Sequence, residues 1–156
     1  MKIALIIIVV ALVAYYFYNN ANNSKAAELN QQLGTAFLQV NSTKEGVLTT
    51  TSGLQYQVLQ QGSGDRHPTA TDTVRVHYHG TLIDGTVFDS SVERGETITF
   101  PLNRVIPGWT EGLQLMKVGD KFRFFIPSGL AYGSRQAGKI PGNSVLIFDV
   151  ELFAIE

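Results

Sequence analysis

From Leu54 onward, apolar side chains recur at every second position, and this alternation limits what the chain can fold into. A period of two places alternate side chains on opposite faces of an extended strand, so each such run asks for a sheet with one buried face. Residues 73–79 show it most cleanly: Val74, Val76 and Tyr78 point one way, Arg75, His77 and His79 the other. Phe122, Phe124 and Ile126 repeat the pattern, as do Leu146, Phe148, Val150 and Leu152. With 54–59 and 97–102, five strands are predicted. Gly62-Ser63-Gly64, Asp84-Gly85, Pro107-Gly108 and Pro141-Gly142 punctuate them as turns.

One segment of this half breaks the period. Pro107 suits a first helical position, Trp109, Leu113 and Met116 follow at helical spacing, and Gly119 ends the run. The fold class is therefore α+β: a curved antiparallel sheet of about five strands wrapped around one short α-helix. The expected domain covers 52–156.

The N-terminus follows other rules. Ile3 to Tyr18 carries no charge, and as a helix it reaches roughly 24 Å against a hydrocarbon core of about 30 Å. Tyr15, Tyr16 and Tyr18 stand where amphipathic rings meet a headgroup layer. A cut after Ala21 would place Asn19 where a small residue is wanted, so an uncleaved signal-anchor over 1–18 is favoured over a cleaved signal. Lys2 before the span and Lys25 after it set a cytoplasmic N-terminus. The expectation is a single-pass protein of a bacterial inner membrane with its domain in the periplasm. Residues 19–51 read as a tether with one short helix. The tether proper is the Asn-rich stretch 19–24, and Ala26, Leu29, Leu33, Ala36, Phe37 and Val40 recur at helical spacing over 25–39.

Composition excludes several functions. A formal net charge of −1 lacks the basic excess that phosphates attract, so no nucleic-acid partner is expected. With 0 cysteines there is no thiolate metal site and no disulfide framework. Phosphate-loop, HExxH and Gly-x-Ser-x-Gly patterns are missing from the sequence. His77 and His79 share a strand face without further ligands nearby, and read as solvated strand residues.

What remains is a series of aromatic motifs in order: Val-His-Tyr-His-Gly at 76–80, Gly-Thr-Val-Phe-Asp-Ser-Ser at 85–91, Val-Ile-Pro-Gly-Trp-Thr-Glu-Gly-Leu at 105–113, Leu-Ala-Tyr-Gly at 130–133 and Leu-Ile-Phe-Asp-Val-Glu-Leu at 146–152. The series resembles the FKBP-type peptidyl-prolyl cis/trans isomerases over residues 52–156. The lead-in Lys44-Glu-Gly-Val and Ser52-Gly-Leu-Gln-Tyr56 resembles the bacterial macrophage-infectivity-potentiator branch, whose longer helical region dimerises it. Here about one short helix stands in its place.

The resemblance implies a proline pocket with Trp109 as floor and Tyr78, Phe88, Val105, Ile106, Ile140 and Phe148 as walls. Tyr132 would offer its hydroxyl at the rim, and Asp89 would be the one carboxylate in an apolar surround. Ile98 takes a wall position where an aromatic residue is usual. The segment 134–139 is short and lacks the histidine that some relatives place over the site. Arg94 is either a solvated charge or the partner that keeps Asp89 ionised. The implied activity is prolyl isomerisation in protein folding, with Asp89, Tyr132, Tyr78 and Phe148 in catalysis. Proline-containing polypeptides are the implied substrates, macrolides the implied inhibitors, and neither cofactor nor metal is called for. A membrane-tethered module that binds proline segments without catalysis is the alternative.

Overall fold

The computed structural model describes residues 2–156, with side chains from Ile6 onward. Its chain order is α1 (Lys2–Asn41), β1 (Val47–Thr49), β2 (Gln55–Gln60), β3 (Thr73–Leu82), β4 (Val87–Ser90), α2 (Ser91–Arg94), β5 (Ile98–Pro101), a 3₁₀ turn (Leu102–Arg104), α3 (Pro107–Leu113), β6 (Lys121–Ile126), a second 3₁₀ turn (Ser128–Leu130) and β7 (Leu146–Ile155).

All pairings between these strands are antiparallel. The order across the sheet is β1-β2-β6-β7-β3-β4, with β5 also on β3, which gives 7 strands where the sequence predicts about five. The two unforeseen strands, β1 and β4, have 3 and 4 residues, too few to display a period. The long strand β3 divides its free edge. Its first half pairs β5 from Thr73↔Pro101 to Val76↔Ile98, and its second half pairs β4 from His79↔Ser90 to Thr81↔Val87. The 3₁₀ turn and α3 follow β5, and Asp89 lies in β4, so both sides of the later site hang from one strand.

The alternating residues form the core as the period requires. Val74, Val76, Phe124, Leu146, Val150 and Leu152 are buried with Trp109, Leu113 and Met116 of the helical segment. Glycines let α3 lie flat on the sheet. A Cβ on Gly108 would come 2.5 Å from Ile126 Cγ2, and one on Gly112 would come 2.7 Å from Phe124 Cε1. Any larger residue would lift the helix and open the core beneath Trp109.

The N-terminal half departs from expectation in three ways. The stretch 19–24 is no coil: α1 is continuous over 40 residues, and Ser24 Oγ donates to the Asn20 carbonyl one turn back within it. Most of the expected apolar stripe is also turned outward, with Leu29, Leu33 and Val40 exposed and Phe37 alone of its large residues docked. The docked face is instead Ala27, Asn30, Gly34, Phe37, Leu38 and Asn41. Phe37 meets Phe125 with ring centroids 6.0 Å apart, and Asn41 Nδ2 donates to Gln55 Oε1 (2.9 Å). Among the described residues, finally, no helix is long and apolar enough to cross a membrane. Counted from Ile6, the apolar stretch meets the asparagines too soon to match a span of about 20 residues. The start of the expected anchor, Met1 and the side chains of residues 2–5, lies outside the described residues.

Candidate active site

A cavity of about 800 Å³ opens between α3, β3, β4, β7 and the loop that follows the second 3₁₀ turn. Each of the ten site residues named from the sequence lines it: Tyr78, Phe88, Asp89, Ile98, Val105, Ile106, Trp109, Tyr132, Ile140 and Phe148. Arg104, Ala137, Gly138 and Lys139 complete the lining. The sequence gives no signal for these four, because each is an ordinary surface residue type placed at the rim by the turn or the loop that carries it.

The apolar part is a cluster of rings. Trp109 meets Phe148 at 5.1 Å, Tyr78 at 5.2 Å and Phe100 at 5.4 Å between centroids. Phe148 also meets Phe88 at 5.3 Å, edge to face. All but the tilted Phe100 contact are T-shaped, which sets positive ring edges on negative faces and locks each ring's tilt. Gly80, on β3 opposite Phe148, makes room for two of them: a Cβ there would lie 2.7 Å from Phe88 Cζ and 2.8 Å from Phe148 Cε1. The buried indole Nε1–H of Trp109 has no acceptor among the described residues.

One charged group adjoins the cluster. Tyr78 Oη donates to Asp89 Oδ2, Arg94 Nη1 donates to Asp89 Oδ1, and Arg94 Nη2 donates to Tyr78 Oη (2.9 Å). Arg94 is thus Asp89's partner in this structure. Asp89 lies at the mouth of the cavity, with its side chain 46% exposed, while Tyr78 is buried. Burial pushes the Asp89 carboxyl up, but the bonds from Tyr78 and Arg94 and the guanidinium's charge outweigh it and hold the carboxyl below its usual value. Burial pushes the Tyr78 hydroxyl up, and its bond to the carboxylate adds to that. The result is an ionised carboxylate and a neutral phenol at neutral pH.

The strand histidines hold this trio in place and are not simply solvated. His77 Nδ1 lies 2.9 Å from Ser91 Oγ, and His79 Nδ1 lies 2.9 Å from Ser90 Oγ. Ser90 caps α2 by accepting from Glu93 N (3.2 Å), and Ser91 Oγ accepts from Tyr78 N (2.7 Å). The two serines therefore fix the start of the four-residue helix that carries Arg94.

Two polar groups remain open at the rim. Ile106 accepts from Trp109 N (2.9 Å) and Thr110 N (3.1 Å) at the start of α3, while its own N–H has no acceptor among the described residues. Tyr132 is 44% exposed on the opposite lip.

The comparisons agree with this geometry. Residues 64–153 match the model of the FKBP-type peptidyl-prolyl cis-trans isomerase family, and 10–58 match the domain amino terminal to FKBP-type peptidyl-prolyl isomerase. The chain belongs to the FKBP-type peptidyl-prolyl cis-trans isomerases. Within the family it is 65% identical to the FKBP-type isomerase FkpA of Aeromonas hydrophila, over 85% of this chain and 49% of that protein. It is 48% identical to the outer membrane protein MIP of Legionella longbeachae, over 85% of this chain and 57% of that one, so the infectivity-potentiator-like branch holds. The crystal structure of FkpA from Escherichia coli superposes with a TM-score of 0.87 at 43% identity, covering 94% of this chain and 70% of that one. The chain spans about half the length of the FkpA relatives it matches.

Proposed function

We propose that the chain is a prolyl isomerase acting on proline-containing segments of client polypeptides during folding. The observation that carries the reading is the aromatic well floored by Trp109 with an ionised carboxylate, Asp89, fixed at its edge. The reaction needs no nucleophile or proton transfer. Its barrier is amide resonance, about 18–20 kcal/mol, and the uncatalysed exchange takes tens to hundreds of seconds. A planar amide keeps a large dipole that water solvates, and the twisted amide loses much of it. A dry well therefore favours the twisted form, and catalysis is differential binding. A thousandfold acceleration requires only about 4 kcal/mol.

In this reading the rings hold the pyrrolidine, while the Ile106 N–H and the Tyr132 hydroxyl hold the flanking carbonyls so that the bond between can rotate. Asp89 acts through its field on the rotating carbonyl. A module that only binds proline would use the same well, and the held Asp89–Arg94 pair beside it favours catalysis. The full-length chain should accelerate cis/trans exchange of a short peptide with an apolar residue before proline. Folded protein without acceleration would leave the binding module in its place.

We further propose that the N-terminal part of α1 holds the protein at a bacterial inner membrane with the domain in the periplasm. What supports it is the row of exposed apolar and aromatic side chains from Ile6 to Tyr18, with the tyrosines at the end nearer the domain. Reaching the hydrocarbon thickness requires the residues before Ile6 as well. Full-length protein should stay with the membrane through high salt and alkaline extraction, and protease added to spheroplasts should remove the domain. Release on extraction, or protection from protease, would overturn this placement.

A further inference from the structure

The active-site cavity takes one wall from a loop, and that loop rests on α1. After Tyr132 the chain leaves the rim and forms a small hairpin in which Ala137 N donates to Ile140 O (2.9 Å) and Ile140 N donates to Ala137 O (2.9 Å). Ala137, Gly138, Lys139 and Ile140 face the cavity. The base of the loop is closed by Asn143 N donating to Gly133 O (2.8 Å).

Helix α1 grips that base. Asn30 Nδ2 donates to Gly142 O (3.1 Å), and in return Asn143 Nδ2 donates to the Ala27 carbonyl in the helix (3.2 Å). One turn on, Gly34 lies against buried Val145, where a Cβ would come 2.8 Å from Val145 Cγ2. Gly142 is enclosed too, since its Cβ would meet Ser134 O at 2.4 Å and Ala27 Cβ at 3.3 Å. Asn143 adopts φ 57, and among the described residues it is the sole non-glycine with positive φ. Glycine occupies that conformation at less cost, so the asparagine is held there for its side chain, which reaches the helix.

We propose that α1 positions the Ala137–Ile140 wall, so that Asn30, Gly34 and Asn143 set the site's affinity for its proline peptide from outside the cavity. This rests on the isomerase reading. None of the three lines the cavity or reaches the rotating bond; they are positioning residues.

The test uses the full-length chain and two variants that approach the contact from opposite sides. Asn143→Gly keeps the positive φ and removes the amide, and Asn30→Ala keeps the helix and removes the other bond. The sole tryptophan, Trp109, reports directly on occupancy, so its fluorescence titrated with a proline-containing tetrapeptide gives Kd. Each variant should raise Kd and KM by roughly three- to tenfold, the range of one lost hydrogen bond, with kcat unchanged. Gly34→Ala, which forces the helix away from Val145, should act in the same direction. Unchanged Kd and KM in folded variants would overturn the proposal, as would a lowered melting temperature without a change in Kd. If the parent chain binds the tetrapeptide without isomerising it, the functional reading fails while the Kd comparison still decides this one.

Discussion

Phe148→Ala should cost about 3–5 kcal/mol of stability and leave little isomerase activity in the fraction that stays folded. Phe148 contacts Trp109, Phe88 and Tyr78 at once, with centroids at 5.1, 5.3 and 6.1 Å. It also lies on β7 between Gly80 of β3 and Phe124 of β6, where a gap cannot close by a shift at a sheet edge. Truncation therefore leaves a hole beside the pocket floor and frees Phe88 to fall into it. Trp109→Phe is the informative companion. It keeps a ring on the floor and deletes an indole N–H that has no acceptor among the described residues, so its stability loss should be much the smaller. Denaturant midpoints give the stability order, and kcat/KM per folded molecule separates lost chemistry from lost fold. Equal losses for the two variants would mean that ring tilt, rather than ring presence, decides the floor.

The sheet was legible because its long strands alternate. Val74-Arg75-Val76-His77-Tyr78 and Leu146 to Leu152 state their inner faces directly, and every second residue of each, from Val74 and from Leu146, is buried in the core. Helix α3 was legible from Pro107 and the spacing of Trp109 and Leu113, but it ends at Leu113, ahead of Met116 and of the expected stop at Gly119. Periodicity misled on α1. Its apolar residues at helical spacing, Leu29, Leu33 and Val40, face outward, while it docks through two asparagines, a glycine and the ring of Phe37. A polar docking face that works by amide-to-carbonyl bonds and close approach carries no hydrophobic period, so a search for one turns the helix the wrong way. Residues 19–24 failed for a related reason. Asparagine and serine favour caps and turns, but inside a helix each costs only a fraction of a kcal/mol against alanine, and a helix already running on both sides continues through them.

The site was legible through family motifs more than through physics. Taken alone, Phe148 and Trp109 read equally well as core, and both are in fact buried core residues that also line the cavity. No periodic signal marks residues whose role depends on which side of a ring stays open. Arg94 was left undecided because its partner is brought near by α2, a four-residue helix too short to be seen in a sequence. His77 and His79 look solvated in the sequence because the serines they hold lie across a hairpin, 14 and 11 positions away.

Asp89→Leu should lower kcat/KM by about ten- to a hundredfold, roughly 1.4–2.7 kcal/mol of transition-state stabilisation, while the chain stays folded. The carboxylate is half exposed at the cavity mouth, so leucine enters without opening a core void, and the buried Tyr78 hydroxyl keeps its bond from Arg94 Nη2. What disappears is the charge beside the rotating carbonyl. The pH dependence of the parent chain follows from the same trio. The Asp89 carboxyl is held below the ordinary carboxylate value, so the folded state binds fewer protons there than the unfolded one. Its contribution to stability is fully present above the unfolded value and is lost as pH falls through the lowered folded one. Activity should therefore stay level from neutral pH down toward the ordinary carboxylate range. Arg94→Gln tests the cause. Without the guanidinium, burial acts on the carboxyl with only the bonds from Tyr78 and the Ser90 backbone opposing it, so the acid limb of the activity profile should move to higher pH, with the neutral plateau reduced less than in Asp89→Leu. A folded Asp89→Leu protein with full activity would remove the carboxylate from the mechanism and leave the well alone to carry it. An acid limb that does not move in Arg94→Gln would assign the lowered titration to the bonds from Tyr78 and the Ser90 backbone instead.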